Sequence, residues 1–235
     1  MQRGKDRASQ AGQQNFQEVM NKFVIFDLDG TLLDSMGFWD GVGRDFLSGY
    51  GVTDFDEDFE TRVKSMSVNQ SSEYFIKKYG LGISVDFVAE AMREIVADKY
   101  RFFAEFKKNA FETVKKLGER GVKMCIATAT YASLVKEALT RLGAIDYFEF
   151  VLSCNDIGYG KDTPHIYYEA MKRLGGDKKN TVIVEDALHA IRTAKGDGFK
   201  VVAVEDRYQA EFKADIVSLS DAYLDVLDAD TIMNI

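Results

Sequence analysis

The sequence predicts an α/β fold, a parallel sheet interrupted by a helical insertion, and three observations carry that prediction. From Val122 onward, apolar strand-like runs alternate with segments of helical spacing. One further apolar run, Phe23 to Phe26, stands by itself near the start of the chain. Between the two, from Asp34 to about Lys108, strand patterning nearly vanishes and helical spacing takes over.

The elements follow in order. Residues 1–20 are polar and rich in Gln, Gly and Ser, and are expected to form an extension outside the fold. "FVIF" is the first strand. In the insertion, "VDFVAEAMREIVADKYRFFAEF" sets Val85, Val88, Met92, Ile95, Val96, Phe102, Phe103 and Phe106 at helical spacing, and three shorter helical segments precede it. "VKMCIAT" is a strand and "ASLVKEALTRLG" a helix ending at Gly143. "YFEFVLS" is a strand, and "PHIYYEAMKRLGG" is a helix with Pro164 in its first turn. "TVIVED", "ALHAIRTAKGDG" and "KVVAVED" complete a strand, a helix and a strand. Alternation of this kind means a Rossmann-like parallel sheet covered on both faces. The expected division is an α/β core over 21–34 and 108–235, with a helical unit inserted as a cap over 35–107.

Composition narrows the partners. A hydrophobic content of 46% is enough for a core, and a net charge of −8 argues against nucleic acid or an anionic membrane surface. No apolar run approaches the roughly 18 residues of a membrane span, and the N-terminus lacks a signal-like apolar stretch. Cys125 and Cys154 lie in or near apolar strands and are expected to stay reduced, which suits a cytoplasmic protein. No pattern points to a particular oligomeric state.

The chemistry sits at strand ends. In "FVIFDLDGT" a buried strand runs into Asp27 and Asp29. Asp and Gly favour turns, yet a turn does not require D-x-D-G-T, a pattern that chance supplies in on the order of one chain in several hundred. A second acidic pair, Glu185 and Asp186, ends "TVIVED". In an open parallel sheet these ends share one edge, where two carboxylate clusters repel unless a cation lies between them. Mg²⁺, which prefers oxygen ligands, is the expected ion. Thr128 ends another strand, and Lys161 precedes a helix. A lone Thr or Lys is usually structural or solvated. Together the four strand-end elements offer metal ligands, a nucleophile, a hydroxyl and a cation, which suits a phosphoryl group.

In order and spacing these residues resemble the haloacid dehalogenase superfamily, in its helical-cap phosphatase branch, the one that holds β-phosphoglucomutases and phosphoglycolate phosphatases. "DLDGT" is similar to the first motif of that family, Thr128 to the second, Lys161 to the third and "VEDALHAI" to the fourth. The resemblance implies that Asp27 is a nucleophile forming an aspartyl-phosphate, and that Asp29 protonates the leaving group and then activates water. It implies that Thr128 and Lys161 bind the phosphate. It implies Mg²⁺ on the carboxylates of Asp27 and Asp186 and the backbone carbonyl of Asp29, with Glu185 next to the metal's outer shell. Three departures concern loop geometry. Asp162 follows Lys161 where the family usually has Pro; Ala187 and Ala190 replace a Ser and a Gly; and "KKNA", Lys107 to Ala110, replaces a Pro-Gly.

The cap would exclude water and select the substrate. Trp39, Arg44, Ser67 and Asn69 are its candidate substrate contacts, with Lys64 to Glu73 as a polar specificity loop; cap-to-core packing, surface charge and an ordinary helix connection are the plainer readings. The expected substrate is a small phosphate ester, a sugar or polyol phosphate. A β-phosphoglucomutase-like isomerase is the nearest alternative. Val68 stands where the mutase resemblance calls for an Arg nearby, and Trp39 where it calls for a His. A phosphate-binding protein without turnover is the second alternative.

Overall fold

The computed structural model describes residues 22–64 and 66–235, so the extension expected over 1–20 lies outside the described residues. Among the described residues six parallel strands form one sheet: β1 (Phe23–Phe26), β2 (Lys123–Thr128), β3 (Phe148–Ser153), β4 (Thr181–Glu185), β5 (Lys200–Val204) and β6 (Ala222–Leu224), in the order β3-β2-β1-β4-β5-β6. The helices are α1 (Met36–Trp39), α2 (Val42–Ser48), α3 (Phe59–Lys64), α4 (Val68–Tyr79), α5 (Val85–Phe102), α6 (Ala110–Glu119), α7 (Ala132–Arg141), α8 (Cys154–Ile157), α9 (His165–Leu174), α10 (Leu188–Gly196), α11 (Lys213–Leu219) and α12 (Ala229–Asn234). Helices α1 to α5 all fall between β1 and β2, in the stretch where the sequence lost its strand pattern.

The sheet is apolar on both faces because helices cover both. Successive side chains alternate between the two. Val24, Phe26, Met124, Ile126, Val182 and Val184 pack into a cluster that continues into the insertion through Phe46, Phe75, Val88 and Met92. Ile25, Cys125, Ala127, Ile183 and Val201 pack into the opposite cluster with Ile166, Tyr167 and Phe199. Both cysteines are buried and free. Among the described residues no helix is long and apolar enough to cross a membrane.

The five strands read from the sequence are all present. The sixth, β6, is three residues long and only half buried, so it carries little apolar pattern. The insertion departs from expectation at three places, one of them Ile95 on α5, which is 39% exposed. Phe102 and Phe103, expected on the apolar face, are 60% and 69% exposed, because α5 ends at Phe102 and the backbone turns away. Lys64 to Glu73, expected as a polar loop, is the end of α3 and the start of α4. Pro164 caps α9 rather than lying within its first turn.

β1 is central, and its C-terminal turn sets up the site. The amides of Leu32 and Leu33 both donate to the Leu28 carbonyl at 2.9 Å, and Gly30 N donates back to Leu33 O at 2.9 Å. This tight loop needs the left-handed backbone that Gly30 supplies, with φ at +86°. The chain returns from the insertion at the same point, where Lys107 N donates to Leu32 O at 2.8 Å.

Candidate active site

β1 and β4 are paired neighbours, so Asp27, just after β1, and Glu185 and Asp186, at the end of β4, meet at one sheet edge. All three are buried, and each offers a carboxylate oxygen within 4.8 Å of the others. Lys161, from the loop between α8 and α9, enters among them. Its ammonium donates to Asp27 Oδ1 and, at 2.7 Å, to Glu185 Oε2. Thr128, at the end of β2, is fully buried on the other side of β1, and its hydroxyl accepts from Thr130 N at 3.0 Å. Four strand-end elements therefore converge where the sequence reading expected them.

The electrostatics show a site short of positive charge. Burial, then the charge of Glu185, push the Asp27 carboxyl up to about 7 against the pull of Lys161. Burial, then Glu185 and Asp27, raise Asp186 well above the usual carboxylate range. Burial opposes the Lys161 ammonium, but Asp27 and Glu185 outweigh it and hold its pKa well above the ordinary value.

The residues fit a hard divalent cation. Asp186 Oδ1 accepts from Thr31 Oγ1 at 2.9 Å, while Asp186 Oδ2 is buried with no hydrogen-bond partner among the described residues. Gly30 leaves room beside that oxygen, since a Cβ there would lie 2.5 Å from it. Glu185, in contrast, has both oxygens engaged, Oε2 by Lys161 and Tyr167 and Oε1 by Ala187 N at 3.3 Å. Asp186 is thus the member of the pair with an oxygen to give, and Glu185 orients Lys161.

Asp29 is held by hydroxyls. Ser35 Oγ donates to its Oδ1 at 2.5 Å, Thr130 Oγ1 to its Oδ2 at 2.7 Å, and the phenol of Tyr100, on α5, donates to Oδ1. Burial, then Asp27, raise its pKa, and the three hydroxyls oppose the rise. Sequence reasoning found Asp29 but missed all three donors. Thr130 lies two residues past Thr128, and Ser35 sits at the start of the insertion. Tyr100 has the spacing of a core residue and gives no local signal.

A cavity of about 600 Å³ opens over Asp27, Asp29, Thr128, Lys161 and Asp186. The insertion supplies its roof, with apolar Met36, Trp39, Val42, Val68 and Met92 beside polar Asp58, Glu60, Thr61, Arg62 and Ser71. Of the four cap candidates, Trp39 lines the cavity, and Arg44, Ser67 and Asn69 do not. Arg44 pairs with Glu60 at 2.6 Å and lies over the Phe55 ring, 4.7 Å from its centre. Ser67 is buried as the N-cap of α4, where its side chain and that of Gln70 form a reciprocal capping box. The backbone amide of Asn69 points to Asn155 Oδ1 at 3.4 Å, across to the sheet domain's loops. The S-x-x-Q pattern of Ser67 and Gln70 was the available signal, and it marks a helix start rather than a loop.

One departure from the family motifs, the Lys107 to Ala110 segment, is accommodated by its own contacts. Asn109 adopts the left-handed φ of 63° that a glycine would take, and its amide donates to Leu227 O at 2.6 Å. Lys107 Nζ binds Gly30 O, Glu205 O and, at 3.0 Å, Asp206 Oδ2, tying the β1 loop to the end of β5.

This fold and this cluster define a class. The family model for haloacid dehalogenase-like hydrolases matches residues 24–204, and the chain belongs to that family. A phosphorylated carbohydrates phosphatase of Thermotoga maritima is 26% identical over 183 residues, which is 75% of this chain and 82% of that protein. Hexitol phosphatase B of Escherichia coli is 23% identical over 199 residues, 77% of this chain and 82% of its own. Among solved structures, a β-phosphoglucomutase of Clostridium difficile matches with a TM-score of 0.77 at 19% identity, over 92% of this chain and 96% of that one, a likeness of fold.

Proposed function

We propose that this chain, a haloacid dehalogenase-like phosphatase, hydrolyses a small sugar or polyol phosphate by way of an aspartyl-phosphate on Asp27. One observation carries the reading. Asp27, Lys161, Glu185 and Asp186 converge beneath a cavity of small-metabolite size, with Asp29 beside them.

Asp27 attacks phosphorus, and its new bond forms as the ester oxygen departs with a proton from Asp29. Asp29 then takes a proton from water, which attacks phosphorus and frees Asp27. Lys161 balances charge on Asp27 and the phosphoryl oxygens, and the Thr128 hydroxyl binds one of those oxygens. The Asp27 and Asp186 carboxylates and the Asp29 carbonyl would hold Mg²⁺. When bound, that ion supplies charge neutralisation for the phosphoryl group and lowers repulsion against the incoming carboxylate.

The substrate class rests on the relatives, whose names specify phosphorylated carbohydrates and hexitols. The apolar part of the roof suits the carbon face of such molecules, and Asp58, Glu60, Thr61, Arg62 and Ser71 set polar groups beside it that suit their hydroxyls. A net charge of −8 speaks against nucleic acid as substrate. The free cysteines suit a reducing compartment such as the cytoplasm. A panel of phosphorylated metabolites, assayed for phosphate release with Mg²⁺ and with EDTA, tests this. We expect Mg²⁺-dependent release from several sugar or polyol monophosphates. Interconversion of glucose 1- and 6-phosphate faster than release would replace the reading with a mutase, and binding without turnover would replace it with a phosphate-binding protein.

A further inference from the structure

We propose that Tyr100 is a positioning residue for Asp29, fixing the carboxyl in the orientation that protonates the leaving oxygen, and that Trp39 in turn fixes Tyr100. The proposal rests on the phosphatase reading above and adds residues of the insertion to it.

Tyr100 lies on α5, 71 positions from Asp29, and is fully buried. Its ring packs edge-on against Phe38 and Trp39, with centroid separations of 5.5 and 6.3 Å. Phe would serve that packing equally well. The hydroxyl is the distinguishing part, and burying it without partners would cost stability. It has three neighbours. Trp39 Nε1 donates to it at 2.7 Å, it donates to Asp29 Oδ1, and Thr130 Oγ1 lies 3.3 Å away.

Donor inventory sets the direction of this chain. Indole N–H can only donate. The Tyr100 oxygen therefore accepts from Trp39, which leaves its single proton for Asp29. Asp29 Oδ1 then has two donors, Tyr100 and Ser35, and is filled. The proton that Asp29 delivers sits on Oδ2, on the side of Thr130. As the bond from Asp27 to phosphorus forms and the bond to the ester oxygen breaks, that proton moves to the departing oxygen. Tyr100 keeps its own proton throughout. Both Trp39 and Tyr100 come from the insertion, so Asp29 is correctly aimed only while the insertion is seated on the sheet edge.

The test uses two esters that differ in their need for a proton. An alkoxide leaving group needs one, whereas p-nitrophenolate leaves without. Tyr100→Phe keeps the ring and removes the hydroxyl. We expect kcat/KM on the best alkyl phosphate of the metabolite panel to fall roughly 10- to 100-fold, the size of one lost hydrogen bond to a charged group. On p-nitrophenyl phosphate it should fall less than about threefold. Trp39→Phe frees the phenol to rotate, and should give the same selective loss at smaller size. The double variant should be no worse than Tyr100→Phe, since the two act in series. Equal losses on both esters, or no loss on the alkyl ester, would overturn the proposal for Tyr100. Additive losses in the double variant would overturn the part given to Trp39. If Tyr100→Phe does not fold, Trp39→Phe with the same two esters decides. A wild-type protein that hydrolyses neither ester with Mg²⁺ would overturn the phosphatase reading, and this proposal with it.

Discussion

Replacing Asp27 by Asn should stabilise the metal-free protein relative to wild type, and the gain should grow with pH. The Asp27 carboxyl moves from its ordinary 3.8 to about 7 on folding, because burial and Glu185 outweigh Lys161. A carboxyl raised in the folded state favours folding while it keeps its proton, and that contribution disappears as pH climbs from about 4 to about 7. The displacement is roughly three pH units at about 1.4 kcal/mol each, so the ionised form weighs about 4 kcal/mol against the fold above pH 7. Roughly a third of this is already present near pH 5. Asn removes this titration together with the Asp27 charge that raises Asp29 and Asp186, which adds to the gain as pH rises, while the hydrogen-bonding cost of the amide itself is the same at every pH. The stability difference between variant and wild type should therefore increase by about 3 kcal/mol between about pH 5 and about pH 8. His189 titrates in the opposite sense: burial, then Lys161, lower it to about 4, which favours the fold as pH rises toward 6.5. It does so in both proteins and cancels. The assay is urea unfolding in EDTA at the two pH values, followed by repetition with saturating Mg²⁺, which should restore the wild type more than the variant. A difference that stays flat or shrinks with pH would refute the argument that this cluster lacks positive charge.

Gly30→Ala should weaken Mg²⁺ dependence by about tenfold or more and cost about 1–3 kcal/mol, since the new methyl meets Asp186 Oδ2 at 2.5 Å and φ is +86°; a Mg²⁺ titration of activity and a melting curve check it. Ser67→Ala should cost about 1 kcal/mol by removing the α4 cap while leaving kcat/KM within about twofold. A much larger loss of kcat/KM would return Ser67 to the substrate site.

The sheet was legible because a strand buried on both faces must be apolar along its length, as Phe23 to Phe26 and Val182 to Val184 are. The meeting of these residues at one sheet edge was legible because parallel strands share their carboxyl ends, and Asp27, Asp186 and Thr128 do lie at strand ends. Lys161 was legible from its place before α9, despite Asp162 after it. The roof of the site was not. Ser67, Asn69 and Arg44 have the polarity of ligand-binding residues, but polarity does not separate a helix cap or a surface ion pair from a substrate contact. Tyr100 shows the converse: its helical spacing among Val96, Met92 and Val88 reads as core, and only the folded chain brings its hydroxyl to a carboxylate 71 positions away. The short edge strand β6 escaped for want of length.

The central claim is that Asp27 carries the phosphoryl group. A rapid-quench experiment with an ester bearing radiolabelled phosphate, in the presence of Mg²⁺, tests it most directly. The account predicts label on the peptide containing Asp27, released by hydroxylamine and absent from Asp27→Asn, a variant that folds but does not turn over. Rapid wild-type turnover with no labelled protein, or near-normal phosphate release by Asp27→Asn, would contradict it.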